Sequence, residues 1–166
     1  MKKTANDENM LKLGQAGERS GEGIWLYIVF RNGQYLTWSG AEDSEFRELM
    51  EIETDRRLPR IKIKRFHHPS RNGYVRKALQ KYRRVGNIPP ELEQKIIRES
   101  VANCTLEDWE LIAMKDGTME AYSPEAGMAA FKEDPDFYEA VVSAGLNEEY
   151  HRAISLKEDG EALGES

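Results

Sequence analysis

Four sets of residues in this chain have types and spacing that could support chemistry. His67 and His68 stand together ahead of Pro69, and paired imidazoles can share a metal ion or relay a proton. Adjacent side chains diverge in a strand or a helix, however, and no His-x-Glu, His-Glu-x-x-His or Asp-x-Asp spacing accompanies them. A solvated turn explains the pair with fewer assumptions. The carboxylates of "EDWE" (107–110) and "EDPD" (133–136) could bind a cation, but acids clustered at helix starts ordinarily answer the helix dipole. Cys104 is the only cysteine, which excludes an internal disulfide and a multi-cysteine zinc site. Nothing beside it in sequence would activate a thiolate, so it reads as a small buried apolar residue. Gly14, Gly17 and Gly21 lack the preceding strand that a phosphate-binding loop needs. The expectation is a protein that is not an enzyme, with no catalytic, cofactor-binding or metal-ligating residue, acting by binding.

Charge is the stronger signal. The net charge of −6 conceals three blocks: residues 1–55 hold six cations against eleven acids, residues 56–84 hold twelve cations and no acid, and residues 85–166 hold six cations against nineteen acids. The middle block, "RRLPRIKIKRFHHPSRNGYVRKALQKYRR", must meet a negative surface or remain solvated. With Phe66, Tyr74 and Tyr82 interleaved, it could neutralise phosphates and stack on bases, as a small nucleic-acid-binding regulatory protein would. The acidic blocks on either side oppose a polyanion and offer the cations partners within the chain, so nucleic acid is the weaker reading.

At 166 residues, with 39% hydrophobic and 33% charged residues and a mean hydropathy of −0.72, the chain suits one domain with a modest core. It has neither a bilayer-length apolar run nor a signal-peptide pattern, so no membrane partner is expected and the reading is cytoplasmic.

Several elements can be placed from pattern alone. Residues 1–22 are polar and aperiodic, which predicts a flexible arm, and 157–166 predicts a disordered acidic tail. Residues 23–156 form the single α+β, mainly α-helical domain. In it "GIWLYIVF", the pair Asn32-Gly33 and "YLTW" predict a β-hairpin over 23–40, because a type I′ turn needs positive φ at both central residues. A helical part follows over 44–156, opening with "EFRELMEIETDRR" behind Ser44 and interrupted by a basic insertion at about 56–74. There "RIKIKRF" reads as a basic edge strand or a loop, and "HHPSRNGY" as a turn. Val75, Leu79 and Tyr82 then mark a helix closed by Gly86. Leu92, Ile96, Ile97 and Val101 mark another behind Pro90, extending towards Trp109. After "WELIAM" and an Asp-Gly turn, Ser123-Pro124 and Asp134-Pro135 each start a helix. Trp109, Tyr122, Phe131, Phe137 and Tyr138 read first as the core of this C-terminal part and second as aromatic anchors for a partner.

The order "GIW…NGQYLTW", "FRELM", "KYRR", a Glu-rich helix, "DWELIAMKDGT" and "YSPEAGMAAFKEDPDFYEAV" resembles the tail assembly chaperones of long-tailed phages and prophages, over residues 23 to about 145. Residues 42–74 depart from that pattern, with "EDSEFR" where the family usually has Asn-Pro-Phe-Arg. The resemblance implies a protein of the host cytoplasm, absent from the mature virion. It would bind the tape measure protein, keep it soluble and help recruit tail tube subunits. Reversible, salt-sensitive contacts would suit such a transient role, which places Arg76, Lys77, Arg83 and Arg84 on the partner surface, with Trp109 and Tyr122 as its aromatic anchors. The opposed charge blocks also permit self-association.

Overall fold

The computed structural model describes residues 23–40, 48, 57–83 and 86–152. The expected arm, the helix behind Ser44 apart from Glu48 and Arg57, the acidic tail and Arg84 lie outside these residues.

Strands β1 (Ile24–Arg31) and β2 (Gln34–Trp38) form the expected hairpin, with Asn32 at φ 54° and Gly33 at φ 79° in its turn. Both residues tolerate the left-handed region, Gly because it lacks a Cβ and Asn because its short amide can bond locally. Two further strands, β3 (Arg60–Ile63) and β4 (Leu106–Glu110), complete an antiparallel sheet in the order β2-β1-β3-β4. The basic "RIKI" is therefore an interior strand, neither edge strand nor loop. Ile61 and Ile63 are fully buried on the core face while Arg60 and Lys62 point the other way, a strict period of two.

β4 breaks that period. Lys62 pairs with Asp108 and Ile63 with Leu106, so Glu107 is an extra residue, a β-bulge. The bulge lets Leu106 and Trp109, three residues apart, both face the core. On sequence that spacing looks helical, which is why the preceding helix is expected to run on towards Trp109. It runs only to Thr105: helix α2 (Pro90–Ser100) passes into a π-helical turn, Val101–Thr105, and the chain then becomes extended. The wider turn rotates the buried face, so that Ile96 and Ser100 are followed inward by Val101, Ala102 and Thr105.

Helix α1 (Pro69–Gln80) starts where a turn is expected. His68 is its N-cap, with Nδ1 accepting from the Ser70 N–H at 3.1 Å, and Pro69 sits in the first turn. Arg71 is buried here: it donates to the Phe66 carbonyl, and its guanidinium lies 3.9 Å from the centre of the Phe66 ring. Burial lowers its pKa, and it binds the turn to the helix.

Helices α3 (Pro124–Glu133) and α4 (Pro135–Leu146) cover the core face of the sheet, and their caps are those the sequence predicts. Ser123 Oγ accepts from Ala126 N–H at 3.0 Å and Asp134 Oδ1 from Phe137 N–H at 3.1 Å. Each such cap contributes about 1 kcal/mol. Phe131 and Val141 are fully buried against Leu26, Ile61, Val101 and Leu106. A Cβ on Gly127 would lie 3.0 Å from the Tyr122 ring, so glycine is what lets the Tyr122 hydroxyl reach the Ala102 carbonyl. The fold is α+β with more helix than strand. Among the described residues, no helix is long and apolar enough to cross a membrane.

Candidate partner-binding groove

The basic block divides between two elements. On β3 and the residues flanking it the cations meet acids of β4 and the C-terminal segment: Arg60 grips Glu110 with two bonds of 2.6 and 2.8 Å, Arg57 approaches the same carboxylate at 3.5 Å, and Arg65 pairs with Glu148. Glu107, turned outward by the bulge, bridges Lys62 at 3.7 Å and Lys64 at 2.9 Å. The Arg60 hydrogen bonds hold the Glu110 carboxyl below its usual range. On α1 and just past its end, by contrast, Arg76, Lys77, Lys81 and Arg83 are exposed, and none of the four has an ion pair among the described residues. The expected surface cations are thus brought together on one helix and its exit.

Trp109 and Tyr122 lie elsewhere. Trp109 is buried, with Nε1 donating to the Glu120 carbonyl at 2.8 Å, and its ring meets the half-buried Tyr122 edge-on at 5.0 Å. Burial raises the Tyr122 pKa, which keeps the phenol a donor to Ala102. These two rings are part of an aromatic chain that runs through Phe137 and Tyr35 to Phe30 at the surface, with centroid separations of 6.4, 5.8 and 4.9 Å for its last three steps. Neither lines the groove described next; Trp109 reaches it only through its ring contact with Phe137.

That groove, about 580 Å³, opens where the β1–β2 hairpin, Pro59, the segment 111–115 and the α3–α4 junction converge. None of α1, α2 or the π turn lines it. Phe30 is 60% exposed and Leu111 40% exposed on its walls, with Val29, Ile112 and Met114 behind them. Phe30 sits one pair in from the hairpin turn, opposite Tyr35. Leu111 is held out by its backbone: at φ 58° it occupies the left-handed region, which costs a residue with a Cβ about 1–2 kcal/mol. Beyond it, Asp116 and Gly117 (φ 88°) turn the chain so that Ala113 bridges Met119.

The polar rim carries two acids, Glu133 and Asp134, and one cation, the exposed Lys115. Asp134 Oδ2 accepts the Tyr35 hydroxyl, and Glu133 Oε2 accepts the Lys115 backbone N–H at 3.1 Å. Burial, reinforced by Asp134, drives the Tyr35 pKa well above the ordinary phenol range, so the hydroxyl stays a donor. Neither carboxylate meets a side-chain cation among the described residues. Phe30, Tyr35 and Leu111 are absent from the sequence-derived candidates. Only Asn32-Gly33, which places Phe30 at a hairpin end, carried a signal for them.

The groups first considered for chemistry are placed apart. His68 caps α1 while His67 is exposed, and burial raises the Cys104 pKa, keeping the thiol protonated. No three His, Cys, Asp or Glu side chains among the described residues converge as a metal site.

Residues 69–161, more than half of the chain, match the family model of the YdaY prophage protein. None of the curated proteins and none of the solved structures matches the chain.

Proposed function

The chain belongs to the YdaY prophage protein family, and on that footing we propose that it is a non-catalytic binding protein of the infected cell, an assembly chaperone for a long phage tail. It holds apolar segments of the tape measure protein in host cytoplasm, helps recruit tail tube subunits and leaves before the virion is finished. The observation that carries this reading is the open groove with Phe30 and Leu111 exposed on its walls. Large apolar side chains left in water beside a formed concavity are what a partner's apolar segment needs. The sequence resemblance to tail assembly chaperones points the same way.

The test is co-expression with the longest neighbouring open reading frame of the prophage. The long protein is expected to become soluble and to co-purify. If it stays insoluble while this chain is folded, the chaperone reading fails.

One observation favours a second reading. The unpaired cations of α1, beside the exposed Tyr82, suit a nucleic-acid-binding regulatory protein. That reading predicts DNA retention on filters that falls steeply between low and moderate salt.

A further inference from the structure

Deepening the chaperone reading, on which it rests, we infer that the groove recognises an apolar segment of a partner protein that carries an arginine or lysine beside its apolar anchors. The two parts of the groove make separate demands on the occupant.

Its apolar part is built at a cost to the fold. A leucine in the left-handed region at position 111 is strained where Gly or Asn would not be, and its side chain is 40% exposed, so the strain is not repaid by burial in the free protein. Phe30, held edge-on to Tyr35 at 4.9 Å, forms the opposite anchor. The volume, about 580 Å³, admits several large side chains, within the roughly 300–1,000 Å³ of ordinary ligand pockets.

Its polar part sets the charge. Glu133 and Asp134 lie side by side on the rim, each oriented by a neutral donor: the Lys115 backbone N–H for Glu133, and the Tyr35 hydroxyl and Phe137 N–H for Asp134. Both carboxylates are fixed before binding and uncompensated by a side-chain cation among the described residues. Lys115 also lines the groove, so its rim holds two acids against one cation; an incoming guanidinium or ammonium gains charge-assisted bonds with the acids, whereas an incoming carboxylate meets a net negative rim.

The test uses a short fluorescein-labelled peptide with a Leu-Phe-Leu run followed by Arg, and the same peptide with Glu in place of Arg, read by anisotropy at low ionic strength. The Arg peptide is expected to bind about tenfold more tightly than the Glu peptide. Asp134→Asn combined with Glu133→Gln removes both charges while an amide oxygen can still accept from the Phe137 N–H at the cap and from the Lys115 N–H, the amide NH2 then donating to the Tyr35 hydroxyl, and should close that gap. Leu111→Asn relieves the backbone strain and removes the anchor, so binding of both peptides should fall while the protein stays folded. Equal binding of the two peptides to the unchanged protein, or binding untouched by Leu111→Asn, overturns the inference. So does a dimer that Leu111→Asn dissociates while neither peptide binds, which would assign the groove to a second copy of the chain. Solubilisation of the long neighbouring protein with failure of the peptides would sink the groove assignment and leave the chaperone reading standing. Peptide recognition without solubilisation would do the reverse.

Discussion

β3 and α1 are neighbours in sequence within the same basic block, and use their cations in opposite ways. β3 lies between β1 and β4, buries Ile61 and Ile63 completely, and matches its cations with Glu107 and Glu110 of the adjacent strand. α1 buries Arg71, only half-buries Tyr74, Val75, Ala78 and Leu79, and presents Arg76 and Lys77, with Lys81 just past its end, to solvent. Charge density in a sequence therefore does not by itself mark a ligand surface. A strand in a sheet brings a facing strand with it, at a fixed spacing of about 4.8 Å, and that strand can supply the counter-charges. A helix on the periphery has no such obligatory neighbour on its outer face.

If this contrast is right, truncating the two elements should have unequal costs. Ile61→Ala is expected to destabilise the protein by about 2–5 kcal/mol, the range for a fully buried aliphatic side chain, and Leu79→Ala by clearly less. Urea unfolding of both variants would measure this, and equal losses would break the distinction. Next in size is Leu111→Asn, expected to raise stability by about 1 kcal/mol because Asn tolerates the left-handed region. A higher melting temperature together with weaker partner binding would separate the groove from the elements that only hold the fold.

The ion pairs of β3 should give a smaller effect with a defined pH dependence. Hydrogen bonding from Arg60 depresses the Glu110 pKa in the folded state below the ordinary glutamate value of about 4.5, so the folded protein holds this proton less tightly than the unfolded chain. Its stabilisation is present above about pH 4.5 and is lost as the pH falls through the lower folded-state value. Glu110→Gln should therefore reduce stability at neutral pH and make little difference well below the folded-state pKa. Equal effects across that range would show that the pair acts through shape alone. The smallest expected change in stability is that of Arg76→Glu with Lys77→Glu, about 0.5 kcal/mol or less for exposed sites away from other features. The same variant decides between functional readings: lost DNA retention supports the nucleic-acid reading, and unchanged retention opposes it.

Where pattern and geometry coincide, the sequence was a sufficient guide. Asn32-Gly33 and the two Pro-started helices were legible because their signals are local: a φ requirement, a side-chain oxygen three residues from the N–H it caps, a proline where no donor is needed. β4 was not legible because the bulge at Glu107 converts a strand's period of two into the spacing of three that separates Leu106 from Trp109. β3 was legible as an alternating segment, but its interior place in the sheet depends on β4, more than forty residues later. Position 68 shows a third kind of loss, since a histidine acting as an N-cap lies outside the usual Ser, Thr, Asp and Asn set.

The sequence by itself determined the class of the molecule: a charged α+β domain, opposed charge blocks, the hairpin, and the caps of α3 and α4, all properties of residues within a few positions of one another. Only the tertiary structure decided which cations are consumed and where a partner could sit. Phe30, Tyr35, Leu111, Glu133 and Asp134 are drawn from segments up to a hundred residues apart, and no local period relates them. Their juxtaposition follows from strand order and from the packing of α3 and α4 on the sheet, and long-range packing selects positions without leaving a repeat in the chain.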